Sequence, residues 1–253
     1  SPFVFPLTPT DHDQEFSQVG AKLPGGLAAK FAGVGICSDA GIAQAPARET
    51  SAAAGALEQA DPSCPASSEI GTTVVGTGVG VPLSWVPGKV YLAGPYKGAP
   101  MSMVVISPAK VGPYDLGVIT VRTAIEINPV TAQGEALSDP FPQIFQGIPV
   151  RVRDIRLNLD RPSFMLNPTS CAGKQIEAHI TGTGGNLPST ADDTGVDLTE
   201  RFQAADCASL GFKPRLSFRL FGGTKRGAHP KLQATVRARL GDANIPGASV
   251  ALP

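Results

Sequence analysis

Acid–base or metal chemistry would have to start from three histidines, His12, His179 and His229. His12 sits in Asp11-His12-Asp13, His179 alternates outward from Ile176, Ala178 and Ile180, and His229 falls in the turn Gly227-Ala228-His229-Pro230. Exposed strand and turn positions are the ordinary place for histidine, whereas catalysis or metal binding needs the rings to converge with other groups. No GxSxG, HExxH or P-loop pattern is present. Gly182-Thr183-Gly184-Gly185 is glycine-rich but lacks the strand-to-helix setting that phosphate binding requires, and it reads as a loop. Asp192, Asp193 and Asp197 with Glu200 form an oxygen-rich polar loop whose spacing matches no calcium loop, so solvated acids are expected there. The chain is therefore expected to be non-enzymatic, with no catalytic residue, metal or cofactor.

Two other groupings carry binding hypotheses. The only tryptophan, Trp85, and all three tyrosines, Tyr91, Tyr96 and Tyr114, fall within one short stretch. Sharing an exposed face, they would make a stacking platform for sugar rings; the ordinary alternative buries Trp85 and Tyr91 and leaves the other two in Gly-Pro-Tyr turns. Between 213 and 239, Lys213, Arg215, Arg219, Lys225, Arg226, Lys231, Arg237 and Arg239 occur with no acid among them. On adjacent strands they would form a basic face for an anionic polymer. Such charges also belong on a solvated sheet face, where they deter edge-to-edge pairing.

Four cysteines, Cys37, Cys64, Cys171 and Cys207, include no CxxC pair, so zinc-ribbon and thioredoxin readings fail. Three pairings are open; locality favours Cys37–Cys64 and Cys171–Cys207, which suits an oxidising compartment. Charged residues are 17% of the chain, below the roughly 25% of an average domain. Basic and acidic residues balance at 21 each, so global charge pulls toward neither nucleic acid nor membrane. Gly 29 and Pro 24 are high counts, but a 42% hydrophobic fraction is too rich for disorder; many turns joining short strands is the economical reading.

Period-two alternation marks the elements that must position these groups. Ile119, Val121, Thr123, Ile125 and Ile127 share one face of 118–127, opposite Thr120, Arg122 and Glu126. Leu232, Ala234, Val236, Ala238 and Leu240 share one face of 231–240, and shorter alternations occupy 175–181 and 215–221. In 150–159 the phase of Val150 and Val152 resumes one residue late at Ile155, which predicts a β-bulge at Arg153-Asp154. The run 101–106 is apolar on both faces, as in a strand covered on both sides. The strands at 118–127, 150–159, 215–221 and 231–240 are expected in the core. Residues 24–60 predict two or three short helices against the sheet's edge or end, with Ser38 as an N-cap and Pro46 splitting the alanine-rich run.

As a set, Asp61-Pro62-Ser63-Cys64-Pro65, Pro87-Gly88-Lys89-Val90-Tyr91-Leu92, Gly94-Pro95-Tyr96-Lys97-Gly98-Ala99-Pro100, Gly112-Pro113-Tyr114-Asp115-Leu116-Gly117, Asp160-Arg161-Pro162 and Asn167-Pro168-Thr169-Ser170-Cys171 are distinctive. They resemble a poorly annotated family of large secreted actinobacterial proteins. Later matches run through Thr224-Lys225-Arg226-Gly227 and Gly241-Asp242-Ala243-Asn244-Ile245, so the resemblance covers most of the chain from about residue 20. It implies an exported, multidomain envelope or extracellular protein of which this chain is an internal portion, and it transfers no catalytic residue.

These readings converge on a mostly-β protein of antiparallel, sandwich-like modules. The expected parts are 1–66, a disulfide-clamped segment with short helices; 67–170, a β-sandwich-like module; and 171–253, a smaller one. The expected function is a structural or spacer module of a secreted or cell-surface protein, with a carbohydrate-binding module on the aromatic platform as the alternative. Expected partners are neighbouring domains of the same longer chain and a cell-wall or extracellular glycan, with no nucleic acid and no membrane insertion.

Overall fold

A computed structural model of the chain describes residues 3–7, 14–48, 53–78, 82–168, 170–183, 195–209, 211–223, 225–239, 241–242, 245 and 247–251. About half of it is strand (51%) and a tenth helix (10%), and the main sheet is antiparallel and curled. Two compact units emerge, Ser1–Asn167 with Lys174–Phe202, and Pro168–Gly173 with Gln203–Pro253.

The larger unit contains β1 (Phe3–Leu7), β2 (Phe16–Lys22), β3 (Ala28–Ala29), α1 (Asp39–Ala47), α2 (Ala54–Ala60), β4 (Glu69–Thr77), β5 (Ser84–Ala93), β6 (Met101–Val111), β7 (Tyr114–Ile127), β8 (Gly134–Ser138), β9 (Ile144–Phe145), β10 (Ile148–Pro149), β11 (Val152–Leu159), β12 (Met165–Leu166), β13 (Lys174–Gly182) and β14 (Gly195–Phe202). Ten of these strands make one sheet in the order β1-β11-β4-β5-β6-β7-β8-β2-β13-β14. Strands β4 to β8 form a meander, because each is followed by turn residues such as Gly112, whose φ of 58° a side chain would resist. The expected boundaries at 66/67 and 170/171 do not coincide with these units. Strand pairing draws β2 and β13 into the same sheet as the 67–170 strands: β2 pairs with β8 along one edge and with β13 along the other, so their backbone groups are satisfied there.

Curling brings β2 and β13 round to face β11, where Phe16 and Ile180 pack with Val152. A second cluster packs Phe164 and Phe31, whose rings meet edge to face at 6.1 Å, with Ile70, Val90 and Leu92. The bulge expected at Arg153-Asp154 is present as a register shift between Val152 and Asp154. The outer face of β5, β6 and β7 is covered by α1 and α2, so the helices lie on the middle of the sheet rather than at its edge or end. Strand β6 explains this placement: its alternate side chains Val104 and Ile106 need an outer cover as much as Met103 and Val105 need an inner one. Ser38 caps α1 by accepting a hydrogen bond from the Gly41 N–H at 3.2 Å. Pro46 lies inside the last turn of α1, which ends at Ala47.

The smaller unit holds β15 (Arg215–Phe221) and β16 (Lys231–Arg237), paired antiparallel as a two-stranded sheet. Leu216 faces Val236, and Leu220 faces Leu232, on one side of this ribbon. Leu216 is 52% exposed and Leu232 46%, so the expectation that 215–221 and 231–240 belong to the core is corrected. Their alternation makes strands, but among the described residues nothing in this unit covers the apolar side. The Cys171–Cys207 bridge and a hydrogen bond from Gln203 Nε2 to the Cys171 carbonyl tie its two chain segments together.

Candidate functional site

Both local bridges, Cys37–Cys64 and Cys171–Cys207, are formed, and they suit a compartment outside the reducing cytosol. Cys37 and Cys64 are buried in the cluster that joins α1 and α2 to Tyr91, Val104, Ile106 and Val118. No described helix is long and apolar enough to cross a membrane, which says nothing about a strand-built span.

The four aromatic residues are not brought together into one platform. Tyr91 is buried against the helices, and burial first, with Glu69 and Glu58 adding, pushes its phenol well above the usual value. Tyr96 closes the 94–99 turn and is committed to neighbours: Arg122 lies 4.3 Å over its ring, and its hydroxyl donates to Asp139 Oδ2 at 2.7 Å. Trp85 is 43% exposed, with the Arg156 guanidinium stacked on its ring at 4.6 Å. Tyr114 is exposed at the first residue of β7.

His179 faces outward as expected, with Nδ1 2.7 Å from Asp197 Oδ1 across the β13–β14 ladder. Asp197 and Glu200 lie on β14 rather than in a loop, because that segment pairs along its length with β13. His12, Asp192, Asp193, Gly184 and Gly185 lie outside the described residues, and His229 is exposed. Among the described residues no group of His, Cys, Asp and Glu is placed to hold a metal. In the basic stretch, Arg215 stands directly opposite Arg237, and Arg219 opposite Gln233, on the polar face of the hairpin.

Several polar residues that the sequence did not single out fasten the larger unit. Asp115 accepts from the N–H groups of Gly55 and Ala56, each at 2.8 Å, so a β-strand carboxylate caps α2, whose own N-cap Ala53 has no capping side chain. Burial acts against its charge, but the backbone N–H groups of Ala56, Gly55 and Gly117, with Lys110, hold its carboxyl below the usual carboxylate range. Gly117, with φ 110°, sits at a register shift that lets both Asp115 and Val118 face the helices. Arg122 donates to Ser102 Oγ at 3.0 Å, Asp39 Oδ1 at 2.8 Å and the Gly94 carbonyl at 3.3 Å, joining β7, β6, α1 and the 94–99 turn. Arg161 donates to the carbonyls of Ser67, Glu69 and Gly33.

A cavity of about 210 Å³ lies inside the curled sheet. Val105, Ile119, Val121, Val75 and Ile155 line it together with Thr73, Ser107, Thr123 and Ser138, and among the described residues no charged one does. Val105 and Val121 are only half-buried although they stand on central strands. On the opposite face of the same strands, Val104 is 0%, Val118 1% and Ile106 2% exposed. Small side chains contribute to the difference: Ser107, Ala136 and Ala21 occupy lining positions where larger ones would fill the space. Elsewhere on the outer face, Glu126, Glu135, Lys22 and Glu177 stand in one cross-strand row, with Lys22 Nζ 3.3 Å from Glu135 Oε1. No protein-family model, curated protein or solved structure matches the chain.

Proposed function

We propose that this chain is a non-catalytic structural module of an exported or cell-surface protein, a rigid spacer linked to neighbouring domains of a longer chain. The supporting observation is where its partly buried charges are spent. Asp115, Arg122 and Arg161 each bind the backbone of a second or third element, which is the work of holding a fold together. The two disulfides support export, as does the resemblance to secreted actinobacterial proteins. A glycan-binding reading is left with Trp85 and Tyr114, because Tyr91 and Tyr96 are occupied within the fold.

Thermal unfolding of Arg122→Ala, Asp115→Ala and Arg161→Ala tests the proposal. Groups reserved for a substrate are commonly neutral or destabilising to the fold, so removing them leaves Tm unchanged or raises it. Fold-holding groups lower it. We expect all three variants to melt below the parent; an unchanged or raised Tm in two of them overturns the structural reading.

A further inference from the structure

We infer that the cavity inside the curled sheet is a binding site for one small, uncharged, largely apolar molecule carrying at most one carbonyl or hydroxyl group. This inference rests on the cavity alone and not on the fold-holding charges described above. Its volume of about 210 Å³ exceeds the roughly 150 Å³ at which a dry apolar cavity already takes up benzene. Closed or nearly closed β-sheets of about this strand number have an interior wide enough to hold one small ligand.

The lining sets the ligand's chemistry. Aliphatic side chains from β4, β6, β7 and β11 supply the walls, and since no described lining residue is charged, an ionised ligand would be desolvated there without a counter-ion from them. Of the lining hydroxyls, Thr73 and Thr77 donate to backbone carbonyls, whereas Thr123 of β7 and Ser138 of β8 stand directly opposite each other as a polar pair. Ser138 Oγ already accepts from the Val19 N–H at 3.1 Å, which leaves its own proton to donate to a ligand oxygen. The β6 and β7 walls stand on strands whose other face is tightly packed under α1 and α2, so on that side the space cannot collapse without disturbing that packing.

The test titrates the full chain with toluene, benzyl alcohol and benzoate, following binding by calorimetry and Tm. Toluene and benzyl alcohol should bind saturably at one site and raise Tm with concentration, whereas benzoate should do neither. Val105→Phe should fill the cavity and weaken both neutral probes at least ten-fold while the circular dichroism of the chain is unchanged. Should that variant not fold, Ala136→Leu places the same obstruction from β8. Thr123→Val should weaken benzyl alcohol more than toluene. The hairpin offers a competing apolar surface, so Leu216→Ser with Leu232→Ser is the control and should leave binding intact. No saturable binding of either neutral probe overturns the inference. So does binding that survives the filled cavity, or binding lost in the hairpin control.

Discussion

Strand β7 of the larger unit and strand β16 of the smaller alternate aliphatic and polar residues in the same way, yet they meet opposite fates. Along β7, Ile119, Val121 and Thr123 point into the curled sheet while Val118 is sealed under the helices. Along β16, Leu232 and Val236 stand in solvent, matched only by Leu220 and Leu216 across the ribbon. Alternation marks which face would profit from cover; it does not supply the cover. A third case lies between them, because the inward face of β6 and β7 is sheltered inside the curled sheet but borders unfilled space.

The largest effect that would sharpen this contrast is a pair of truncations. Ile106→Ala, beneath the helices, should cost about 2–5 kcal/mol, whereas Leu216→Ala in the hairpin should cost less than about 1 kcal/mol. Equal losses in urea unfolding would break the comparison by showing that the hairpin's apolar face is covered in the intact chain.

The disulfides should divide in the same way. Replacing Cys37 and Cys64 by alanine should destabilise the larger unit by about 3–4 kcal/mol in the chain-entropy model, since the bridge closes 27 residues that include both helices. Replacing Cys171 and Cys207 should speed hydrogen exchange in β15 and β16 while leaving β4 to β7 protected. Loss of protection throughout β4 to β7 in this second variant would show that the units do not unfold separately.

Removing the long-range cap is a smaller change. Asp115→Ala should cost about 1 kcal/mol, the usual cost of losing a helix cap. Its folded pKa lies below the unfolded value of about 4, so its contribution is present above that pH and fades as pH falls through the folded pKa. The stability difference between parent and variant should therefore shrink on acidification; a difference constant from neutral pH to pH 2 would deny the carboxylate this role.

The smallest effect on stability concerns the basic ribbon. Arg219→Glu with Arg237→Glu should change stability by no more than about 0.5 kcal/mol, because both positions are exposed. Any retention of the parent on a polyanion column should be weak, unselective and lost with added salt, and the double variant should abolish it. Tight, salt-resistant retention of one polymer would make the ribbon a recognition surface and would set the exposed hairpin, rather than the larger unit, at the centre of function.

Much of the fold was legible because its signals are short-range. The shift of phase between Val152 and Ile155 encodes the bulge, Ser38 encodes its cap, and the apolar run of β6 encodes a strand covered on two sides. Cysteine locality encoded the bridges for a similar reason, since short loops close most readily. The candidate site was not legible. Thr123 and Ser138 reach the same interior through strand register, and nothing in Val105 or Val121 announces that the space beside them is unfilled.

By itself, then, the sequence determined several of the strands with the alternation of their faces, the first helix cap and the redox character of the chain, all of which depend on residues within a few positions or on cysteine spacing. Tertiary structure alone decided that the helices lie on the middle of the sheet, that Tyr91 is buried beneath them and Tyr96 is engaged by Asp139 and Arg122, and that Asp115 caps a helix about 60 residues earlier. It also decided which apolar faces are sealed, which is exposed and which encloses a cavity. The physical reason is that burial is a property of two surfaces meeting: a strand carries one of them in its own residues, and only the path of the whole chain brings the other.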